Sequence, residues 1–140
     1  MKKILLTLVL LASISVAALA QCDKTAVLTS SKTDHIDAGG ALIRTVTEAV
    51  ILEISKTEVN VSVDGDPKIK AIIKSNTCNW TVPFKEGKTV IHGVAQHDGN
   101  DMPVTLTLEG KDGKVTLIFQ MDERTDDRVR ITADKFTEKG

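Results

Sequence analysis

Along this chain apolar and polar residues change places with a period of two, in one short stretch after another. Val59, Val61 and Val63 alternate with Asn60 and Ser62, and Val104, Leu106 and Leu108 alternate with Thr105, Thr107 and Glu109. Val115, Leu117, Phe119 and Met121 share a face, as do Val129, Ile131 and Ala133, whose neighbours Arg128, Arg130 and Thr132 point the other way. Successive side chains of a strand project to opposite sides, so each run predicts a strand with one dry and one wet face. Ile69, Ala71 and Ile73 form another such run, and Cys78, Trp80 and Val82 a further one whose three side chains are expected to face inward together.

Turn-forming residues fall between the runs: Gly39-Gly40, Asp64-Gly65-Asp66-Pro67, Glu86-Gly87, Asp98-Gly99-Asn100 and Asp112-Gly113. Asp112-Gly113 suits the positive φ values of a type I′ turn and predicts a hairpin that pairs residues 103–109 with 114–121. About eight to ten strands result, with no connection long enough for a helical crossover. The expected fold is all-β, an antiparallel meander closed into a barrel or folded as a sandwich. Leu42, Val46, Ala49 and Val50 also fit one face of a helix, so helix and strand stay open for residues 41–49. The β-branched Thr45, Val46, Thr47, Val50, Ile51 and Ile54 favour strand. Residues after Phe136 read as a short polar tail.

Composition narrows the class. Val, Ile and Thr make up 37 of the 120 residues that follow Ala20, as a sheet protein requires. Lys and Arg number 18 against 19 Asp and Glu, which leaves no basic surface for a nucleic acid. Tyr is absent, and Trp80, Phe84, Phe119 and Phe136 are the whole aromatic supply, too few for a base-stacking platform. Met1-Lys2-Lys3, the apolar run from Ile4 to Leu11 and the end Ala18-Leu19-Ala20 match a signal peptide over residues 1–20, followed by a single β domain over 21–140. The expected location is therefore periplasmic or extracellular, with no transmembrane segment. Leu19-Ala20-Gln21-Cys22 also resembles a lipobox, and the alternative is anchoring through an acylated Cys22. In an exported chain the two cysteines, Cys22 and Cys78, are expected to form a disulfide.

Residues with chemical potential are few. His35, His92 and His97 lack the convergence a metal site needs and read as surface histidines. Asp64 and Asp66, and Asp98, Asn100 and Asp101, lack the twelve-residue calcium pattern and suit hairpin tips. No nucleophile–base pair stands out, so the expectation is a non-catalytic protein without cofactor or metal. Arg44 and Glu48 would face inward if Leu42, Val46, Val50 and Leu52 do, and could orient a ligand; a strand bend at Glu48 is the other reading. Trp80 is expected on the inner face, packed in a filled core or lining a hollow one as a ligand-lining residue.

From Thr25 to Phe136 the order of strands and turns resembles the calycin-like and lipocalin-like β-barrels, particularly small secreted bacterial members of unassigned activity. The resemblance is carried by the Asp37-Ala38-Gly39-Gly40 turn after a long first strand, by Cys78-Asn79-Trp80, and by the segment from Leu108 to Val115 with its Lys111-Asp112-Gly113-Lys114 turn. It implies an exported barrel that binds a small apolar ligand. The alternative is a structural or protein-interaction domain of envelope or inhibitor type, with no small ligand.

Overall fold

The structure, a computed structural model, describes residues 21–97 and 99–140. The expected signal segment, residues 1–20, and Asp98 of the calcium reading lie outside the described residues. Nine strands follow one another: β1 (Ala26–Ile36), β2 (Leu42–Ile54), β3 (Glu58–Val63), β4 (Asp66–Val82), β5 (Glu86–His97), β6 (Asn100–Lys111), β7 (Lys114–Met121), β8 (Arg124–Thr132) and β9 (Lys135–Glu138). Each strand from β1 to β7 pairs antiparallel with the next, and β8 pairs back onto β1. The result is a closed eight-stranded up-and-down barrel, the all-β meander in its barrel form rather than a sandwich. Residues 42–54 are strand, which settles the helix alternative. The β6–β7 hairpin turns at Asp112 and Gly113, with φ of 55° and 77°, and pairs Leu106 with Phe119 and Leu108 with Leu117.

Two strands change phase midway. In β4, Ala71 is buried and Trp80 is buried, nine residues on, which an unbroken period of two forbids. A bulge between Ile73 and Ser75 inserts the extra residue. It pushes the β4 backbone toward Gly93 of β5, where a Cβ would lie 2.7 Å from the carbonyl oxygen of Ile72, so only glycine fits opposite the bulge. β1 also changes phase, at a register shift against β2 between Ser30 and Lys32. Leu28 and Ser30 face inward below the bulge, Thr33 and His35 above it.

Two expectations are corrected. Val82 does not share the inner face with Cys78 and Trp80: a second irregularity between Trp80 and Val82 turns it outward, 43% exposed. The residues after Phe136 are not simply a polar tail, since Thr137 and Glu138 belong to β9. β9 pairs with β1, from Thr29↔Lys135 to Ala26↔Glu138, in the same register as Asp34↔Arg130 higher up. β8 and β9 are thus one line of chain along β1, interrupted over 131–134 and bridged there by the Ser30 hydroxyl donating to the Thr132 carbonyl at 2.7 Å. A single apolar residue in a four-residue strand leaves no periodic trace, and backbone pairing supplies the order instead.

Inside, Leu28, Leu52, Val59, Ile91, Leu106, Leu108 and Leu117 are almost fully buried. Each such side chain contributes about 1.5–3 kcal/mol by leaving water. The lower end, where Ala26, Ile54, Val82 and Lys111 lie, is stoppered. Trp80 is 2% exposed, and its indole N–H donates to Thr89 Oγ1 at 2.7 Å. Its ring meets Phe136 at 5.8 Å between centroids, and Phe136 meets Phe84 edge-on at 5.1 Å. Gly110 makes room for the indole, since a Cβ there would come within 2.7 Å of its six-membered ring. The Cys22–Cys78 disulfide, Cα atoms 6.0 Å apart, fastens the N-terminal turn across this floor, as expected from the cysteine count. Gln21 adds a bond at 2.6 Å from the Phe84 backbone N–H.

Candidate functional site

The upper end is built differently. Pairing between β4 and β5 begins at Ala71↔Ala95, and above it residues Asp66 to Lys70 pair only with β3. The two strands part there and leave the barrel open at the side as well as at the top. A cavity of about 540 Å³ occupies the opening. Its wall is mostly apolar, with Ile69 from β4, Ala95 from β5, Met102 and Pro103 from β6, and Phe119 and Met121 from β7. Lys68, Gln96, Glu123 and Arg124 stand around its lip, all exposed.

Below the lip a second cavity of about 150 Å³ adjoins the first, with Lys68, Ile69 and Phe119 in the walls of both, and the two together make up the chamber at this end. Val50, Leu52, Val61, Val129 and Ile131 wall it, and besides Lys68 three polar side chains break the apolar surface: Thr33, His35 and Glu48. The Thr33 hydroxyl donates to Glu48 Oε1 at 2.6 Å. His35 Nδ1 lies 3.2 Å from Asp127 Oδ1, at the top of β8. The sequence pattern misses Thr33 and His35 because the β1 bulge reverses their side. His35, read from spacing as a surface residue, is a lining residue whose side chain is only 19% exposed. His92 is exposed on the outer wall, where it meets Thr105.

Glu48 does face inward, in phase with Val50 and Leu52. Arg44 keeps the same phase, opposite His35, but stands exposed at the rim, where the strand has outrun the chamber. The two do not act as a pair, and Glu48 takes its hydrogen bond from Thr33 instead. Trp80 lies in the floor and borders neither part of the chamber. A void of only about 40 Å³ lies near it, beside the disulfide and Phe136.

On the outer wall, polar side chains strap β1 to its neighbours near the mouth. Asp34 accepts from Thr45 at 2.7 Å and from Arg130 at 3.3 Å. The Thr45 hydroxyl does most to hold the Asp34 carboxyl below its ordinary pKa; burial opposes it, and Arg130 and Lys32 reinforce it. Arg128 donates to the carbonyls of Asp37 and Ala38, at 3.0 and 3.1 Å, fixing the Asp37–Ala41 turn over the top of β8. At the β3–β4 tip Asp64 accepts from the Ala49 N–H at 2.8 Å, a structural use of a residue weighed for calcium.

Among the described residues no three His, Cys, Asp or Glu side chains gather as a metal site, and no helix is long and apolar enough to cross a membrane. The arrangement suits enclosure: an apolar funnel, open at the lip, with a carboxylate and an imidazole near its narrow end. Compared with protein-family models, with curated proteins and with solved structures, the chain matches none.

Proposed function

We propose that this is an exported, non-catalytic barrel of the calycin-like or lipocalin-like kind that carries a small apolar molecule in the chamber at its upper end. The observation that supports the reading is the 540 Å³ cavity, walled by Ile69, Ala95, Met102, Phe119 and Met121 and adjoining the inner cavity. Sites for small molecules are concave, mostly apolar and roughly 300–1,000 Å³ in volume, with a few polar groups that fix orientation. Apolar area removed from water on entry contributes about 25 cal/mol per Å², and a wall already in place costs little to organise. Export is supported by the leader-like residues 1–20 and by the disulfide, a bond that persists in oxidising compartments.

The test is titration with N-phenyl-1-naphthylamine, a neutral apolar fluorophore. One probe per chain is expected to bind saturably, and Met102→Trp, which fills the lip without touching the floor, is expected to abolish binding while leaving the folded spectrum unchanged. Non-saturable or unaffected binding overturns the reading. A second reading, a protein-interaction domain, draws on Leu42 and Ile43, adjacent at the rim and 57% and 58% exposed. It gains if the probe fails and a partner is retained in native mass spectrometry of protein from its own host.

A further inference from the structure

Resting on that carrier reading, we infer that the molecule taken up has a protonated amine at one end, and that it enters amine first to meet Glu48. Glu48 has two carboxylate oxygens. Oε1 accepts from Thr33, and among the described residues Oε2 has no donor. Oε2 is not a sealed, orphaned atom either, since no buried side-chain oxygen lacks a partner, so water reaches it through the chamber it lines. An entering apolar body drives that water out. A ligand without a donor would then leave a carboxylate oxygen against hydrocarbon, which costs more than the contact gains. A hydroxyl end would replace the water; an ammonium end replaces it and neutralises the charge as well, with a bond roughly twice as strong as a neutral one.

The other charged groups at the chamber allow the same choice. His35 has its Nδ1 engaged with Asp127. Lys68 borders both cavities, but it is exposed at the parted seam, and among the described residues it makes no ion pair with Glu48. Its long stem lets the ammonium reach water while the methylenes line the wall. Glu123 and Arg124 at the outer lip are exposed charges of opposite sign. The narrow end therefore offers the Glu48 carboxylate as its acceptor, and the wide end, lined by Met102, Phe119 and Met121, takes the apolar body. A carboxylate-ended molecule meets a like charge if it enters head first, and buries its tail against Glu48 if it enters tail first.

Three ligands of equal chain length separate these cases: decylamine, decanol and decanoate, each used to displace N-phenyl-1-naphthylamine at pH 7. Decylamine, an ammonium ion at that pH, is expected to displace the probe at roughly one-tenth the concentration of decanol, with decanoate the weakest. Glu48→Gln keeps an acceptor for Thr33 and removes the charge. It is expected to bring decylamine level with decanol, both measured against the probe affinity of that same variant. Equal displacement by decylamine and decanol in the unaltered protein, stronger displacement by decanoate, or an amine preference that survives Glu48→Gln overturns the inference and leaves the carrier reading intact. Failure of the probe itself to bind removes the carrier reading and this inference with it. Should Glu48→Gln not fold, the order of the three ligands on the unaltered protein decides alone.

Discussion

The two ends of the barrel are made from the same eight strands and by different means. At the floor, the large side chains Trp80, Phe84 and Phe136 meet one another, backbone pairing continues through β9, and a covalent bond crosses the N-terminal turn. At the mouth, β4 and β5 part, the inward side chains thin out to Ala95, Met102 and Met121, and the closure of β1 on β8 rests on three residue pairs and a set of polar straps. The lower end is closed by apolar mass, the upper end held by hydrogen bonds around a space. Stability is therefore expected to concentrate below and binding above, as when a rigid scaffold carries a site at its open end.

The sharpest way to break that contrast is at the floor. Trp80→Ala is expected to destabilise by about 3–5 kcal/mol, because a fully buried aromatic loses its transfer energy and leaves a cavity that Gly110 cannot fill. Urea unfolding followed by far-UV circular dichroism measures it; a loss of only about 1 kcal/mol, the usual size for a random substitution, would mean that the stopper is not where stability lies. Next comes the disulfide. Joining residues 56 apart restricts the unfolded chain by about 4 kcal/mol in the loop-entropy account, so the Cys22→Ser/Cys78→Ser double variant is expected to lose about 2–4 kcal/mol. Because the bond lies at the floor, probe affinity of the folded double variant is expected to stay the same. A large fall in affinity would show that the two ends are coupled.

The reverse pattern is expected at the mouth. Met121→Ala removes a half-buried, flexible side chain from the chamber wall, and its stability cost is expected to be about 1 kcal/mol or less. The affinity for N-phenyl-1-naphthylamine is expected to drop several-fold, since each methylene lost from an apolar contact is worth about 0.8 kcal/mol. Equal stability losses for Met121→Ala and Trp80→Ala would erase the distinction between the ends.

How far all this could be read from the sequence follows the same division. Alternation identifies β3, β6, β7 and β8 because Val59–Val61–Val63, Val104–Leu106–Leu108, Val115–Leu117 and Val129–Ile131 each keep one phase, and Asp112-Gly113 shows where two of them join. The pairing of Cys22 with Cys78 and the burial of Trp80 follow from arithmetic and alternation. The mouth is less legible because it depends on departures from regularity. Ile69–Ala71–Ile73 and Cys78–Trp80 look like two strands of opposite phase, and only the bulge at Lys74, relieved by Gly93, makes them one. The matching bulge in β1 hides Thr33 and His35 from any count by twos. Glu48 could be placed inside by phase with Val50 and Leu52, but its partner could not: Arg44 is nearer in sequence and in charge, and the chamber ends before the strand does. Phe136 was hidden by brevity, as its strand has four residues and its order comes from β1.

The smallest expected effect tests whether the mouth is held by charge. Asp34 sits on the outer wall beside His35, with Thr45 donating at 2.7 Å and Arg130 at 3.3 Å, and its carboxyl is held below the ordinary 3.8. A carboxylate whose pKa is lower in the folded than in the unfolded chain stabilises above the unfolded value, and that stabilisation is lost as the pH falls through the folded value. Asp34→Asn keeps an acceptor for Thr45 and removes the charge, so at pH 7 it is expected to cost about 1 kcal/mol, the net scale of a typical hydrogen bond. The difference between the two proteins is expected to shrink below pH 4 and to vanish once Asp34 is protonated in the folded protein. Hydrogen exchange places the effect: in acid, amides of β1 and β8 around Asp34 and Arg130 are expected to lose protection before those of β1 and β9 around Leu28 and Phe136, which pair by backbone alone. If both stretches lose protection together at every pH, the mouth opens only with the whole barrel, and the straps around Asp34 add nothing of their own to the upper end.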